Sequence, residues 1–373
     1  MHYSRDARVL LATRTLRSFG DGFVSVLLAR YLTLLGFSGA RIGAIATATL
    51  LGTAIATLIV GQIANRTGRR PILLSAALLA AATGLAFASV TDFWPLLVVA
   101  VIGTLNPSAG DVSVFLPMEQ AILPETVDNT KRTALFARYN LAGSLAAAAG
   151  ALFAATPDVT HSLFGWDTET VMRSMFVLYA LIAAMNFVSY RTLSPSVEPE
   201  GARGSAPLTR SKSVVYQLAA LFALDSFGGG FIVQSMLALW MFERYGLSLD
   251  QAAVIFFAAG VVTAFSYLVA ARIAERIGLI NTMVFTHLPS NILLILVALM
   301  PNVWLAVVML LLRQSLSQMD VPTRQSYVMS VVQPEERAAA ASVTSVPRSL
   351  SSAMSPVMAG ALLGVSTFGW PLV

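Results

Sequence analysis

Apolar residues run along this chain in stretches of about 20 to 28, with short polar clusters between them. We read eleven helices, over 8–36, 40–64, 71–90, 93–119, 131–155, 171–193, 214–242, 249–272, 280–299, 302–322 and 337–364. Each is long enough to cross a hydrocarbon core of about 30 Å at 1.5 Å per residue. A closed barrel would need alternating segments of about ten residues, and the pattern is not of that kind. The expected fold class is an all-α polytopic membrane protein.

The helices form two sets that echo each other roughly 208 to 210 residues apart. Arg17-Ser18-Phe19-Gly20-Asp21-Gly22-Phe23 returns as Asp225-Ser226-Phe227-Gly228-Gly229-Gly230-Phe231. Ile63-Ala64-Asn65-Arg66-Thr67-Gly68 returns as Ile273-Ala274-Glu275-Arg276-Ile277-Gly278. Asp111 is matched by Asp320, Pro124-Glu125 by Pro334-Glu335, and Arg138 by Arg348. A repeat of this length predicts two pseudo-symmetric bundles: a six-helix unit over 1–193 and a second over 214–373. Between them, 194–213 is polar and rich in Pro, Gly and Ser, as a flexible cytoplasmic linker would be. The second unit holds about five of the helices read, because only 366–373 follow the eleventh. Two matched halves lead us to expect a truncated twelfth helix, with a true eleven-helix chain as the alternative.

Composition narrows the class. The chain is 56% hydrophobic and 12% charged, against roughly a quarter charged in soluble domains. With a mean hydropathy of +0.73, most of it must lie in lipid. There is no cysteine, and His2, His161 and His287 show no ligand spacing, so neither a metal nor a cofactor is expected. Arg14, Arg17 and Asp21 interrupt the first apolar run, which is too long for a cleavable signal and so stays as the first helix. The net charge of +5 needs no nucleic acid to explain it. With the N-terminus in the cytoplasm, about 14 Lys/Arg fall in inner loops and about 3 (Arg41, Arg173 and Arg244) in outer ones. That asymmetry orients a multi-pass protein of a cytoplasmic (inner) membrane. The longest outer segment, 156–170, carries Asp158, His161, Asp167 and Glu169 and reads as a solvated loop.

Between the second and third helices stands Gly61-Gln62-Ile63-Ala64-Asn65-Arg66-Thr67-Gly68-Arg69-Arg70-Pro71. It resembles the signature loop of the major facilitator superfamily, Gly-x-x-x-Asp-Arg-x-Gly-Arg-Arg. Gly68 suits a tight turn, and Arg66, Arg69 and Arg70 suit acidic groups and helix C-termini. The chain departs from the pattern at Asn65, where the family has Asp, and the second copy keeps Glu275, Arg276 and Gly278 without the trailing basic pair. The resemblance implies helices 1, 4, 7 and 10 around a central cavity that opens alternately to either side. It further implies a monomer that moves a small solute, often with protons, and that is not an enzyme.

Charges inside spans are costly and so mark candidate chemistry. They fall on the helices that the resemblance places around the cavity. Asp21 and Asp225 are candidate proton-coupling carboxylates. For Asp21 the alternative is a neutralising pair with Arg17, four residues back. Arg14, Arg17, Phe23, Asn106, Asp111, Phe231 and Arg313 are candidate cavity residues. Because Arg17 and Asp225 occupy matching positions, they could pair across the cavity in one state and part in the other. Asp111 with Arg138, and Asp320 with Arg348, read as a duplicated gate and packing network with Glu119, Arg66, Gly68, Arg69, Glu275 and Arg276, with substrate contact as the alternative. Asn106-Pro107-Ser108-Ala109-Gly110 predicts a kink or local unwinding that frees backbone groups. Small residues in helices 2 and 5 predict close helix approach. Helix 5 lacks the Gly-Pro-x-x-x-Gly element typical of drug/proton antiporters in the superfamily.

The chain resembles the broad group of small bacterial exporters of the superfamily. The expected function is secondary transport of a small organic solute, proton-linked and outward. The alternatives are proton symport of an organic anion held by Arg14, Arg17 or Arg313, and a non-transporting sensor or lipid-moving protein. No nucleophile–base pair or nucleotide motif supports an enzyme.

Overall fold

A computed structural model of the chain describes residues 4–108, 113–127, 132–198, 208–332 and 336–373. The first half contains α1 (Arg5–Leu34), α2 (Gly39–Thr67), α3 (Arg69–Ser89), α4 (Phe93–Ile102), α5 (Phe115–Ile122), α6 (Arg132–Phe153), α7 (Thr156–Phe164) and α8 (Thr168–Tyr190). The second contains α9 (Lys212–Gly230), α10 (Gln234–Tyr245), α11 (Leu249–Ile277), α12 (Leu279–Leu299), α13 (Val303–Ser317), α14 (Asp320–Val331) and α15 (Arg337–Val365). Among the described residues seven stretches are long and apolar enough to cross a membrane, in keeping with the all-α polytopic class.

Three crossings read as single helices are in fact broken. The fourth stops at Ile102, where Gly103 turns extended, and resumes at Phe115. Pro107 lies in this gap and has no N–H to extend a helix. The seventh breaks after Gly230, and its second piece, α10, begins at Gln234. There the Ser235 N–H donates to the Pro107 carbonyl at 3.1 Å, so the breaks in the two halves satisfy one another. The tenth crossing divides between α13 and α14.

The repeated Phe-Gly-x-Gly-Phe motif has a packing origin. A Cβ on Gly22 would sit 2.1 Å from the Ala147 carbonyl oxygen, and one on Gly230 would sit 2.3 Å from that of Ser352. At both sites the first helix of a half crosses the fifth backbone to backbone, and only glycine fits. The signature loop repeats in geometry too: Gly68 and Gly278 share φ of +84°, with ψ of 158° and 165°.

The linker is pinned at both ends. The Asp6 carboxylate accepts from the Ser194 N–H (3.0 Å) and hydroxyl (2.5 Å). Glu198 caps the start of α3, accepting from the Arg69 and Arg70 N–H groups at 2.7 and 3.1 Å. Glu336 accepts from the N–H groups of Thr209, Arg210 and Ser211 at 2.7 to 3.0 Å. Hydrogen bonds to its charged form, from the Thr209 hydroxyl and from these backbone groups, hold its carboxyl down at about 2.

The outer segment is no simple solvated loop. Its α7 starts on Pro157 at the first turn and ends on Gly165 at φ +70°. Asp158 on α7 reaches the other half and accepts from the Leu249 and Asp250 N–H groups at 2.8 and 3.3 Å. Asp167 caps α8 through Thr170, and Glu169 pairs with Arg173 at 2.6 Å. At this same end Val357 N–H donates to Thr47 Oγ1 at 2.9 Å, joining α15 to α2.

Candidate functional site

Each half gathers its intramembrane charges around its first and fourth crossings, but the two arrangements differ. In the first half Arg17 of α1 meets Glu119 of α5 in a two-pronged pair, Nη1–Oε1 2.9 Å and Nη2–Oε2 2.7 Å. Arg17 is 5% exposed and Glu119 fully buried. Glu119 also accepts from Tyr190 at 2.6 Å, from Thr13 at 3.3 Å, and from Tyr139. The guanidinium lies 4.6 Å over the Phe115 ring. Glu119, expected in the gate and structural network, is the buried counter-ion of Arg17.

In the second half the signs are exchanged: the acid, Asp225, is on the first crossing and the cation, Arg324, on the fourth. Arg324 Nη1 lies 3.0 Å from Asp320 Oδ2 and 3.5 Å from Asp225 Oδ2. His287 of α12 completes the group, with Nε2 2.8 Å from Asp225 Oδ1 and Nδ1 3.9 Å from Asp320 Oδ2. Two carboxylates thus share one arginine and one imidazole. Asp225 and His287 are 36% and 33% exposed, so this cluster is open where the other is sealed. Next to it Arg348 Nε donates to the Ser226 hydroxyl at 3.1 Å.

In this structure Arg17 and Asp225 are paired inside their own bundles and not with each other, which is the parted arrangement of the two-state contact that repeat symmetry suggests. Neither His287 nor the tyrosines at 139 and 190 stand among the sequence candidates. The available signal for His287 is an ionisable side chain alone in an apolar run, which in a membrane span marks function by default.

Asp21 is buried and met by Asn106 and Tyr179, while Arg17 is turned to Glu119. Arg14 is buried with its guanidinium 5.2 Å over Tyr139, and Gly143 leaves it room. Phe23, expected at the cavity, is a packing residue: it is fully buried, with its ring 5.7 Å from that of Phe19 and 5.9 Å from that of Phe153. Phe231 is half-buried, 5.4 Å from Phe227. Arg69 pairs with Glu125 at 2.6 Å. Arg138, Glu275 and Arg276 are exposed. Asp111 and the side chain of Arg66 lie outside the described residues. Among the described residues no group of three potential ligands could hold a metal ion.

The family model of the Major Facilitator Superfamily matches residues 10–372. The chain belongs to the major facilitator superfamily. It is therefore a secondary transporter, not an enzyme. A relative in Saccharomyces cerevisiae, the uncharacterized membrane protein YJR124C, is 25% identical, with 96% of this chain and 88% of the relative covered. Among solved structures, the nucleoside transporter NupG superposes with a TM-score of 0.72 at 15% identity, covering 99% of this chain and 95% of the other. The D-xylose-proton symporter gives 0.71 at 16% identity, covering 98% and 89%. A POT family transporter with a bound peptide conjugate gives 0.75 at 14%, covering 99% and 92%. At such identities the likeness carries the fold, and the cargo must be argued from this superfamily member's own residues.

Proposed function

We propose that this protein exports a small organic solute across the cytoplasmic membrane by alternating access, driven by inward proton flow, as a monomer with its N-terminus inside. The observation that carries the proton coupling is His287 set between Asp225 and Asp320 with one arginine to serve both acids. A proton on the imidazole or on either carboxylate changes how Arg324 is shared, and so links protonation to the packing of α9, α12 and α14. The sealed Arg17–Glu119 pair offers no such freedom. Asp21, held by Asn106 and Tyr179, is the second candidate for a coupled proton. The structural likeness to a D-xylose-proton symporter is consistent with proton use.

The halves touch at the end bearing α7, through Asp158 with α11 and Thr47 with α15, while Asp225 and His287 are partly open. A solute would enter from the linker face, which the basic inner loops place in the cytoplasm.

The test is accumulation of a compound panel in efflux-deficient cells, with and without an uncoupler. Export predicts lower accumulation that both the uncoupler and Asp225→Asn abolish, while Asp21→Asn reports on the second acid. Accumulation that rises with the protein reverses the direction. No change across the panel sinks the export reading.

A further inference from the structure

We propose that Arg313 is a recognition site for an oxyanion, and that the transported solute carries a carboxylate or phosphate-like group; the inference rests on the transport reading above. Arg313 lies on α13, about 15 Å along the helix from its Val303 end and so near the middle of a hydrocarbon core of about 30 Å. Lipid-facing residues of this helix, Trp304, Leu305, Val308 and Leu312, are 42 to 75% exposed. Arg313 is on the opposite side, in line with the buried Ala306, Leu310 and Ser317. From that depth and direction its side chain cannot reach the interface by snorkelling.

The other cations of the bundle core have partners: Arg17 has Glu119, Arg324 has Asp225 and Asp320, and Arg348 has Ser226. No described carboxylate pairs with Arg313. Its polar contact is Nη1 to the Oε1 of its neighbour Gln314 at 3.3 Å. Its buried Nε has no acceptor, as is true of Arg17 Nε, but Arg17 has a carboxylate on its other nitrogens and Arg313 has none among the described residues. On the adjoining α12, Ser290 is 1% exposed and its hydroxyl also has no partner. Counting about 1.5 Å per residue from the α12–α13 turn puts Ser290 and Arg313 at the same depth. Two donor groups left unsatisfied at the same depth on adjoining helices, one cationic, leave room in the bonding scheme for an acceptor with negative charge. A guanidinium is suited to a two-oxygen anion, and an unpaired one at mid-membrane is costly unless something pairs with it during the cycle.

The experiment uses the purified full chain in lipid nanodiscs and follows its unfolding temperature at constant ionic strength. The probes are sodium benzoate and phenylphosphonate, with neutral benzyl alcohol as control. The anions are expected to raise the unfolding temperature by several degrees and the alcohol not to do so. Arg313→Gln should erase the anion response while leaving the ligand-free protein as stable as the parent or more so, since an uncompensated cation has been removed. Arg313→Lys should weaken the response, and Ser290→Ala should weaken it less; these two variants carry the test if the glutamine variant fails to fold. A rise equal in parent and Arg313→Gln, or no anion-specific rise, overturns the proposal. No anion response in the parent, with its uncoupler-sensitive transport intact, removes only the anion assignment. An intact anion response without proton dependence removes only the coupling.

Discussion

Each half carries an ion pair between its first and fourth crossings, with the signs exchanged, and the two are treated in opposite ways. Arg17 and Glu119 are held by the side chains of Thr13, Phe115, Tyr139 and Tyr190, on α1, α5, α6 and α8, and shut from solvent. Arg324 and Asp225 sit in a looser group that includes a second acid and a histidine, with Asp225 and His287 about a third open. A charge pair that must not change protonation is best buried and fully satisfied, because desolvation then makes any rearrangement costly. One that must change needs an alternative partner within reach, and the second half has two. The first half therefore reads as the fixed element and the second as the working one.

The largest effect should come from breaking the sealed pair. Arg17→Ala or Glu119→Ala leaves a buried charge alone and should destabilise by roughly 3–5 kcal/mol, seen as a lower unfolding temperature and poor membrane expression. Asp225→Asn, at a partly open site, should cost under about 1 kcal/mol in the same measurement while removing proton dependence. The reciprocal swap Arg17→Glu with Glu119→Arg should recover part of the lost stability. Equal losses for Asp225→Asn and Glu119→Ala would end the contrast between a fixed and a working half.

Next in size are the glycines, where the halves agree. Gly22→Ala and Gly230→Ala each push a methyl into a backbone carbonyl and should cost about 1–3 kcal/mol or more. Gly229, with nothing within 4 Å of its would-be Cβ, should accept alanine and gain up to about 1 kcal/mol of helix propensity. A thermal scan of the three variants separates packing, which the repeat keeps, from electrostatics, which it changes.

This division also explains what could be read from sequence. The glycine turn at 68 and the Asn106-Pro107 break are local signals, fixed by backbone sterics within a few residues, and the repeat shows by comparing the chain with itself. The Arg17–Glu119 pair joins residues 102 apart, and nothing along a single chain tells which of several intramembrane acids an arginine will meet. Repeat symmetry suggests Asp225, but a buried pair is most stable where other donors also converge, and Tyr139, Tyr190 and Thr13 converge on Glu119. His287 is hidden when histidines are weighed as metal ligands, for which a lone one counts for nothing. In lipid the same residue stands out simply by being ionisable.

A smaller effect is expected where the halves touch at the α7 end. Asp158 accepts the first N–H groups of α11, so Asp158→Ala should cost about 0.5–2 kcal/mol, in the range of a lost helix cap. Because the bond crosses between the halves, its loss should show less in global unfolding than in access. A cysteine placed at Thr47, on the α2–α15 contact, should label faster with a membrane-impermeant thiol reagent when Asp158 is Ala. Unchanged labelling would mean that this contact does not hold the two halves together.

The smallest effect lies at the linker and is a matter of pH. Glu336 is held at about 2 by the Thr209 hydroxyl and the N–H groups of Thr209, Arg210 and Ser211, below the ordinary glutamate value of about 4.3. Its charged form is thus favoured by folding, and the stability it adds is present above about pH 4.3 and is lost as pH falls toward 2. Glu336→Gln keeps the shape and loses the charge, so it should flatten the acid limb without moving stability at neutral pH by more than the difference between a charged and a neutral cap. Limited proteolysis between 199 and 211 reads this directly. The parent should become cleavable below about pH 4, and the glutamine variant should cleave alike at about pH 3 and pH 6. A parent equally resistant at both pH values would show that the start of α9 is held by its packing in the second half, and that the Glu336 contacts follow from that packing.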